Sequence, residues 1–190
     1  MTTHDVIVGL AVLGVVGQVA ALLFVAVVAA DGLGLPGPLQ TLRAAVWGYE
    51  LWAAFAVSSV ATGGSLFFSE VAGFVPGELC WSQRICMYPL SIITLLAALR
   101  GEFRIARYLL PLPIVGAGIS IYHLLVENGV VGQTNACLVS APGGCATKWI
   151  DEFGYMTIPT LALTAFVLLI ELLALAAVGD EEASASEVDR

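Results

Sequence analysis

The residues of this chain best suited to chemistry are its four cysteines, Cys80, Cys86, Cys137 and Cys145. A stretch rich in Pro and Gly separates Cys137 from Cys145. Because such a stretch turns easily, the two sulfurs can meet and form a disulfide. That disulfide would either staple the loop or exchange with thiols of another protein, and the spacing leaves both interpretations open. No His or further Cys lies nearby in sequence, so no metal site is expected.

Cys80 has the neighbours that a reactive thiol requires. It lies where a helix is predicted to begin, so the positive end of the helix dipole would stabilise its thiolate. Arg84 lies one turn further on the same face and would stabilise the thiolate more. Such a thiolate is suited to redox chemistry, although Arg84 has the alternative of extending to the lipid headgroups. Cys86 is rotated away from Cys80 and is predicted to be a small buried residue.

The segments that must position these residues are strongly apolar. Hydrophobic residues make up 59% of the 190 residues and charged residues 12%, whereas a soluble domain has about 25% charged residues. Crossing the bilayer takes about 20 apolar residues, and in lipid such runs should be helices. The predicted spans are Val6–Ala30, Ala44–Phe68, Trp81–Leu99, Ile105–Val126 and Tyr155–Val178. The sequence therefore predicts an all-α, multi-pass integral membrane protein.

The positive charges predict the orientation of these spans. Arg43 follows the first span, and Arg100, Arg104 and Arg107 crowd the connection between the third and fourth spans. Since short cytoplasmic loops carry an excess of Lys and Arg, these connections and the C-terminal tail are predicted to be cytoplasmic. Cys80, Cys137 and Cys145 then face outward in the cytoplasmic (plasma) membrane, on the side where disulfides persist.

The two ends of the chain lie outside the main bundle of spans. Residues 1–43 hold the first span, whose front end lacks the positive charge of a secretory signal, so a retained helix is expected. Residues 179–190 form an acidic tail that is predicted to be disordered. The net charge of −8 comes without any basic patch, so nucleic-acid binding is not expected.

Residues 76–90 carry a specific motif, Pro-Gly-Glu-Leu-Cys-Trp-Ser-Gln-Arg-Ile-Cys-Met-Tyr-Pro-Leu. It resembles the signature of the disulfide-bond-formation protein B (DsbB) family, Pro-Cys-x-Leu-Cys-Trp-Tyr-Gln-Arg-Ile-x-Met-Tyr-Pro-Leu. Further similarity lies at residues 64–70, at Tyr122-His123 and at residues 145–159, so the resemblance covers roughly residues 48 to 178. It implies a four-helix transmembrane bundle over residues 44–178, with the first helix as an addition.

The resemblance also implies a function and roles for individual residues. Members of this family reoxidise a thioredoxin-like (DsbA-type) protein outside the cytoplasm and pass the electrons to a membrane quinone of the ubiquinone or menaquinone type. Cys80 would then lie next to the quinone, and Arg84 and His123 would line the same pocket. Cys137 and Cys145 would form the second disulfide, with Cys137 the expected target of the partner's thiol. His123 has the alternative of a neutral histidine that is hydrogen-bonded between helices.

Two departures from the family pattern affect this interpretation. Gly77 stands where the family has the first Cys of Cys-x-x-Cys, so Cys80 lacks its usual partner. The relay is then interrupted, or Cys145 reaches Cys80 directly. Ser82 replaces the usual Tyr beside the quinone pocket. A noncatalytic quinone-binding scaffold is therefore an alternative function, and a quinone reductase of the vitamin K epoxide reductase type is another.

Overall fold

Helices dominate the part of the chain that the structure describes, and one isolated β-bridge, between Glu152 and Met156, is the only other regular pairing there. This structure is a computed structural model that describes residues 3–33, 46 and 48–188. Its α-helices are α1 (Thr3–Gly32), α2 (Glu50–Leu66), α3 (Glu78–Arg100), α4 (Ala106–Leu109), α5 (Pro111–Glu127), α6 (Asn135–Ser140) and α7 (Ile158–Val188). A π-helical turn, Phe67–Val71, extends α2, and short 3₁₀ turns lie at Phe103–Ile105 and Gly144–Ala146.

Five helical stretches in the described residues are long and apolar enough to cross a membrane, as the sequence predicts: Thr3–Asp31, Glu50–Val71, Glu78–Arg100, Phe103–Glu127 and Ile158–Gly179. Many large apolar side chains point outward from them, among them Leu22 and Ile85. In water such surfaces would be unfavourable, so their natural solvent is lipid.

Four of the long helices close a ring around one core. Helix α2 packs against α3 and α7, and α5 packs against the same two helices from the other side. Leu90 of α3 and Phe166 and Leu169 of α7 are fully buried at the centre. Helix α1 stands outside this ring and packs on α7. The ring fixes the start of α3, with Cys80, at one end of the molecule, and the arginines after α3 at the other.

Close contact between α5 and α7 depends on Gly116. A Cβ atom at this position would overlap the ring of Phe166, whereas a Cβ at Gly118 would meet open space. We therefore expect Gly116→Ala to cost about 1–3 kcal/mol of stability through overpacking, while Gly118→Ala on the same helix costs little. Thermal unfolding midpoints of both variants in detergent micelles test this. Equal midpoints would contradict the contact between α5 and α7.

Two features of the helices differ from those predicted, and a third prediction lies outside the described residues. The fourth span is divided before Pro111, which has no N–H to continue the hydrogen-bond ladder, so that α4 and α5 follow one another. Helix α7 continues to Val188 instead of giving way to a disordered tail at residue 179; the Ala and Glu residues there favour helix. The predicted start of the second span at Ala44, and Arg43, lie outside the described residues.

Candidate active site

Cys80 lies in the first turn of α3, as its sequence context predicts. Gly77 precedes the helix as its N-cap residue with extended backbone (φ −72°, ψ 173°), and Glu78 is the first helical residue. The Cys80 side chain is partly buried, and Cys86 is buried in the helix core further along α3. The prediction for Cys86 as a small core residue is therefore confirmed.

Arg84 turns into the protein instead of extending to the membrane surface. Its Nε donates to the Ser65 hydroxyl and its Nη2 to the Ser65 carbonyl oxygen, both at 2.9 Å. Its guanidinium carbon lies 5.0 Å from the centre of the Trp81 ring, a cation–π contact. The side chain is 8% exposed. Ser65 of α2 thus holds a buried cation one turn from Cys80.

A large cavity of about 370 Å³ opens beside Cys80 and Arg84. Most of its polar lining comes from α3, which provides Cys80 and Arg84, and most of the lining from α1, α2 and α7 is apolar. Its volume is in the range of small-molecule sites, roughly 300–1,000 Å³. A ligand with one polar end and an apolar body fits this distribution of groups.

Cys137 and Cys145 are joined by a disulfide, with their Cα atoms 5.2 Å apart. Thr134 caps α6 by accepting from the Cys137 backbone N–H at 3.2 Å. Both cysteines are buried, with 1% of Cys137 and 4% of Cys145 exposed. The predicted pairing is confirmed, and neither sulfur lies open on the surface.

The disulfide loop is folded against the start of α3. The Glu78 backbone N–H donates to the Ser140 hydroxyl at 3.0 Å, and that hydroxyl donates to the Cys137 carbonyl at 3.0 Å. A Cβ atom built on Gly77 would lie 3.3 Å from the Cys145 sulfur. Position 77, where the signature that this motif resembles has a cysteine, therefore faces Cys145 directly.

A small cavity of about 10 Å³ lies between the loop and the helices. Cys80, Cys145, His123 and Glu127 all line it. His123 Nε2 lies 3.1 Å from the Cys145 carbonyl oxygen, and its buried Nδ1 has no hydrogen-bond partner among the described residues. Cys80 also lines the large cavity, so it borders both spaces.

The structure places His123 at a different cavity from Arg84, and the expected part of His123 in quinone binding stays a prediction. His123 lines the small cavity and is not among the residues around the large one. Its ring is turned toward the disulfide loop because the Cys145 carbonyl provides a hydrogen-bond partner there. Cys137 lines neither cavity.

Glu127 is a residue of the site that the sequence analysis missed. It is buried at the end of α5 and accepts a hydrogen bond from the Thr157 hydroxyl at 2.8 Å. It follows His123 by four residues, a spacing that puts both side chains on one helix face. The spacing of His123 and Glu127 was the available signal in the sequence. It indicates a site only because the disulfide loop packs against that face of α5.

Comparison with known proteins identifies the family. A family model described as disulfide bond formation protein DsbB matches residues 49–177. The chain belongs to the DsbB family. This match associates the chain with oxidoreductases of disulfide bond formation.

Several curated proteins align with the same region. Disulfide bond formation protein C of Bacillus subtilis is 47% identical over 122 residues, which cover 63% of this chain and 86% of that protein. A probable disulfide formation protein of Deinococcus radiodurans is 42% identical over 131 residues, covering 65% of this chain and 86% of that protein. No solved structure gives a significant match. Helix α1 precedes the region that the DsbB model matches.

Proposed function

We propose that this DsbB-family chain is a membrane thiol:quinone oxidoreductase. It reoxidises a thioredoxin-like protein outside the cytoplasm and passes the electrons to a membrane quinone of the ubiquinone or menaquinone type. The observation that carries this proposal is the position of Cys80, which borders the large apolar cavity on one side and the small cavity with Cys145 on the other. One sulfur thus connects a ligand site with a disulfide.

The large cavity has the properties that a quinone site requires. Cys80 and the buried guanidinium of Arg84 lie where a quinone head group would be held, and the apolar lining suits its hydrocarbon tail. A quinone bound there supplies the capacity to accept two electrons and two protons. Arg84 would orient the head group by donating a hydrogen bond, since Ser65 engages only its Nε and Nη2 groups.

The disulfide loop is the site at which the thiol partner enters. Attack by a partner thiolate on Cys137 breaks the bond to Cys145, forms a mixed disulfide and releases the Cys145 thiolate. Leu138 and Val139 next to Cys137 are 55% and 87% exposed, and they offer the partner an apolar contact. Because the sulfurs are buried, the partner must open α6 as it docks.

Cys145 takes the part of the missing cysteine in the relay. After the partner's second thiol displaces Cys137, the partner is oxidised and both loop cysteines are thiols. Cys80 and Cys145 then form a disulfide, and the two electrons and two protons lost go to the quinone. Attack of Cys137 on the Cys145 sulfur restores the loop disulfide and returns Cys80 as a thiol. The net reaction converts one dithiol and one quinone into a disulfide and a quinol.

The test uses the purified full chain, a reduced thioredoxin-like dithiol protein and a soluble quinone whose absorbance is followed. We expect catalytic reduction of the quinone by the native chain and by Gly77→Cys, with the variant at least as fast. If only Gly77→Cys turns over, Cys145 does not reach Cys80 directly.

A noncatalytic quinone-binding scaffold is the second candidate function, and Gly77 is the observation that favours it. Under this alternative the chain binds quinone, but neither the native protein nor Gly77→Cys reduces it. Equilibrium binding of quinone measured beside the turnover assay separates the two functions, because the scaffold would bind without turnover.

A further inference from the structure

Helix α1 forms one side of the large cavity. Leu10, Leu13, Gly14, Val16 and Gly17 line it, on the side provided by α1, and Cys80 and Arg84 line it from α3. The DsbB family model begins to match only at residue 49. The two relatives named above align 86% of their own length with 63–65% of this chain. The cavity therefore contains a side that the family region does not provide.

Specific contacts with α7 and with Tyr155, just before α7, fix the position of α1. Gly17 allows close approach, since a Cβ there would lie 3.0 Å from Leu168 and 3.1 Å from Thr164. Gln18 Nε2 donates to the Thr164 hydroxyl at 3.3 Å, and the Tyr155 hydroxyl donates to Gln18 Oε1 at 3.1 Å. Amide and hydroxyl hydrogen bonds between helices add specificity in lipid. These contacts thus determine the position of α1 on α7.

The same helix reaches α2. A Cβ placed on Gly64 would lie 3.2 Å from the Leu10 side chain, so α1 contacts the ring at α2 as well as at α7. The α1 residues at the cavity carry only apolar side chains or none. The polar lining lies at Cys80, Gln83, Arg84 and Tyr88 of α3, at Ser65 of α2 and at Thr164 of α7. A molecule in the cavity that placed a polar head near Cys80 would therefore meet α1 with its apolar part.

We propose that α1 is a binding element for the hydrocarbon tail of the quinone and sets how tightly long-tailed quinones bind. This inference rests on the proposed function. The simplest role of α1 would be packing or membrane insertion. The proposal adds to it a direct contact with the ligand. Because the contact is purely apolar, α1 contributes to binding and to KM, while electron transfer at Cys80 is unaffected. A phospholipid acyl chain is the competing occupant of this space.

The kinetic test uses a matched pair of substitutions on α1. Leu13→Trp enlarges a side chain at the cavity, whereas Leu22→Trp makes the same change at a position that is 69% exposed and away from the cavity. We expect Leu13→Trp to raise the KM for a long-tailed quinone about tenfold, with kcat, the KM for the dithiol and the KM for a tail-less quinone unchanged. Leu22→Trp should match the native chain on every measure.

A binding measurement gives a readout that does not depend on turnover. A quinone with a photoreactive group on its tail should label the peptide of residues 10–17 in the native chain, and excess unlabelled quinone should abolish that label. Labelling elsewhere, or labelling that excess quinone leaves unchanged as expected for a lipid-filled space, would overturn the proposal. So would equal KM values for the two Trp variants. If the native chain neither binds nor reduces quinone, the proposed function itself fails.

Discussion

Cys80→Ala should reduce catalytic quinone reduction to background, a loss on the order of a thousandfold or more, as expected when the reacting nucleophile is removed. The reason is geometric, because Cys80 is the cysteine that borders both the large cavity and the small one. Quinone absorbance during turnover with a reduced dithiol protein measures the effect. Cys86→Ala is the matched control. It removes a thiol buried in the core of the same helix and should leave turnover close to that of the native chain.

The amount of partner oxidised makes this prediction sharper. The disulfide between Cys137 and Cys145 is still present in Cys80→Ala, so the variant should oxidise about one equivalent of dithiol and then stop. Continued turnover by Cys80→Ala would mean that electrons leave the loop by a route that does not include this sulfur, and the proposed relay would be wrong.

Cys137→Ser should accumulate a disulfide between Cys80 and Cys145 when quinone is added. Both side chains line the small cavity, and once they are oxidised no Cys137 thiol remains to release Cys80. Mass spectrometry of the digested protein should find the two peptides linked in most molecules, and Cys80 should resist labelling by a maleimide. Without quinone, Cys80 should be labelled.

Cys145→Ser provides the comparison for this trap. It leaves Cys80 and Cys137 free, but Cys137 does not line the small cavity, so we expect no comparable link between them. Equal crosslinking in both variants would show that the loop is too mobile for the observed geometry to direct the transfer. Complete maleimide labelling of Cys80 in oxidised Cys137→Ser would exclude direct exchange with Cys145.

The sequence was sufficient to predict the spans and the chemical character of the site. Helical spans follow from local hydropathy, and the motif around Cys80 and Arg84 is contiguous in sequence. Other features depend on contacts between distant segments. The hydrogen bond from Glu78 to Ser140 joins residues 62 positions apart, and the role of Glu127 depends on the loop folded over it. Neither hydropathy nor residue spacing predicts such contacts between distant segments.

The side of the large cavity formed by α1 could not be predicted for the same reason. Leu13 and Gly17 look like ordinary residues of a membrane helix, and only the packing of α1 on α7 brings them opposite Cys80. The direction in which Arg84 points was also undecided in the sequence, where extension to the headgroups was an equal alternative. The Ser65 hydroxyl and carbonyl on α2 decide it.

The burial of the loop disulfide has a consequence for the selectivity of the protein. Small thiols such as glutathione diffuse freely, but they have no extended surface with which to displace α6 and uncover the sulfur of Cys137. A folded partner can use its docking energy for this purpose. Under the proposed function, the covered disulfide therefore restricts quinone reduction to electrons that come from protein thiols, and small reductants do not consume the quinone.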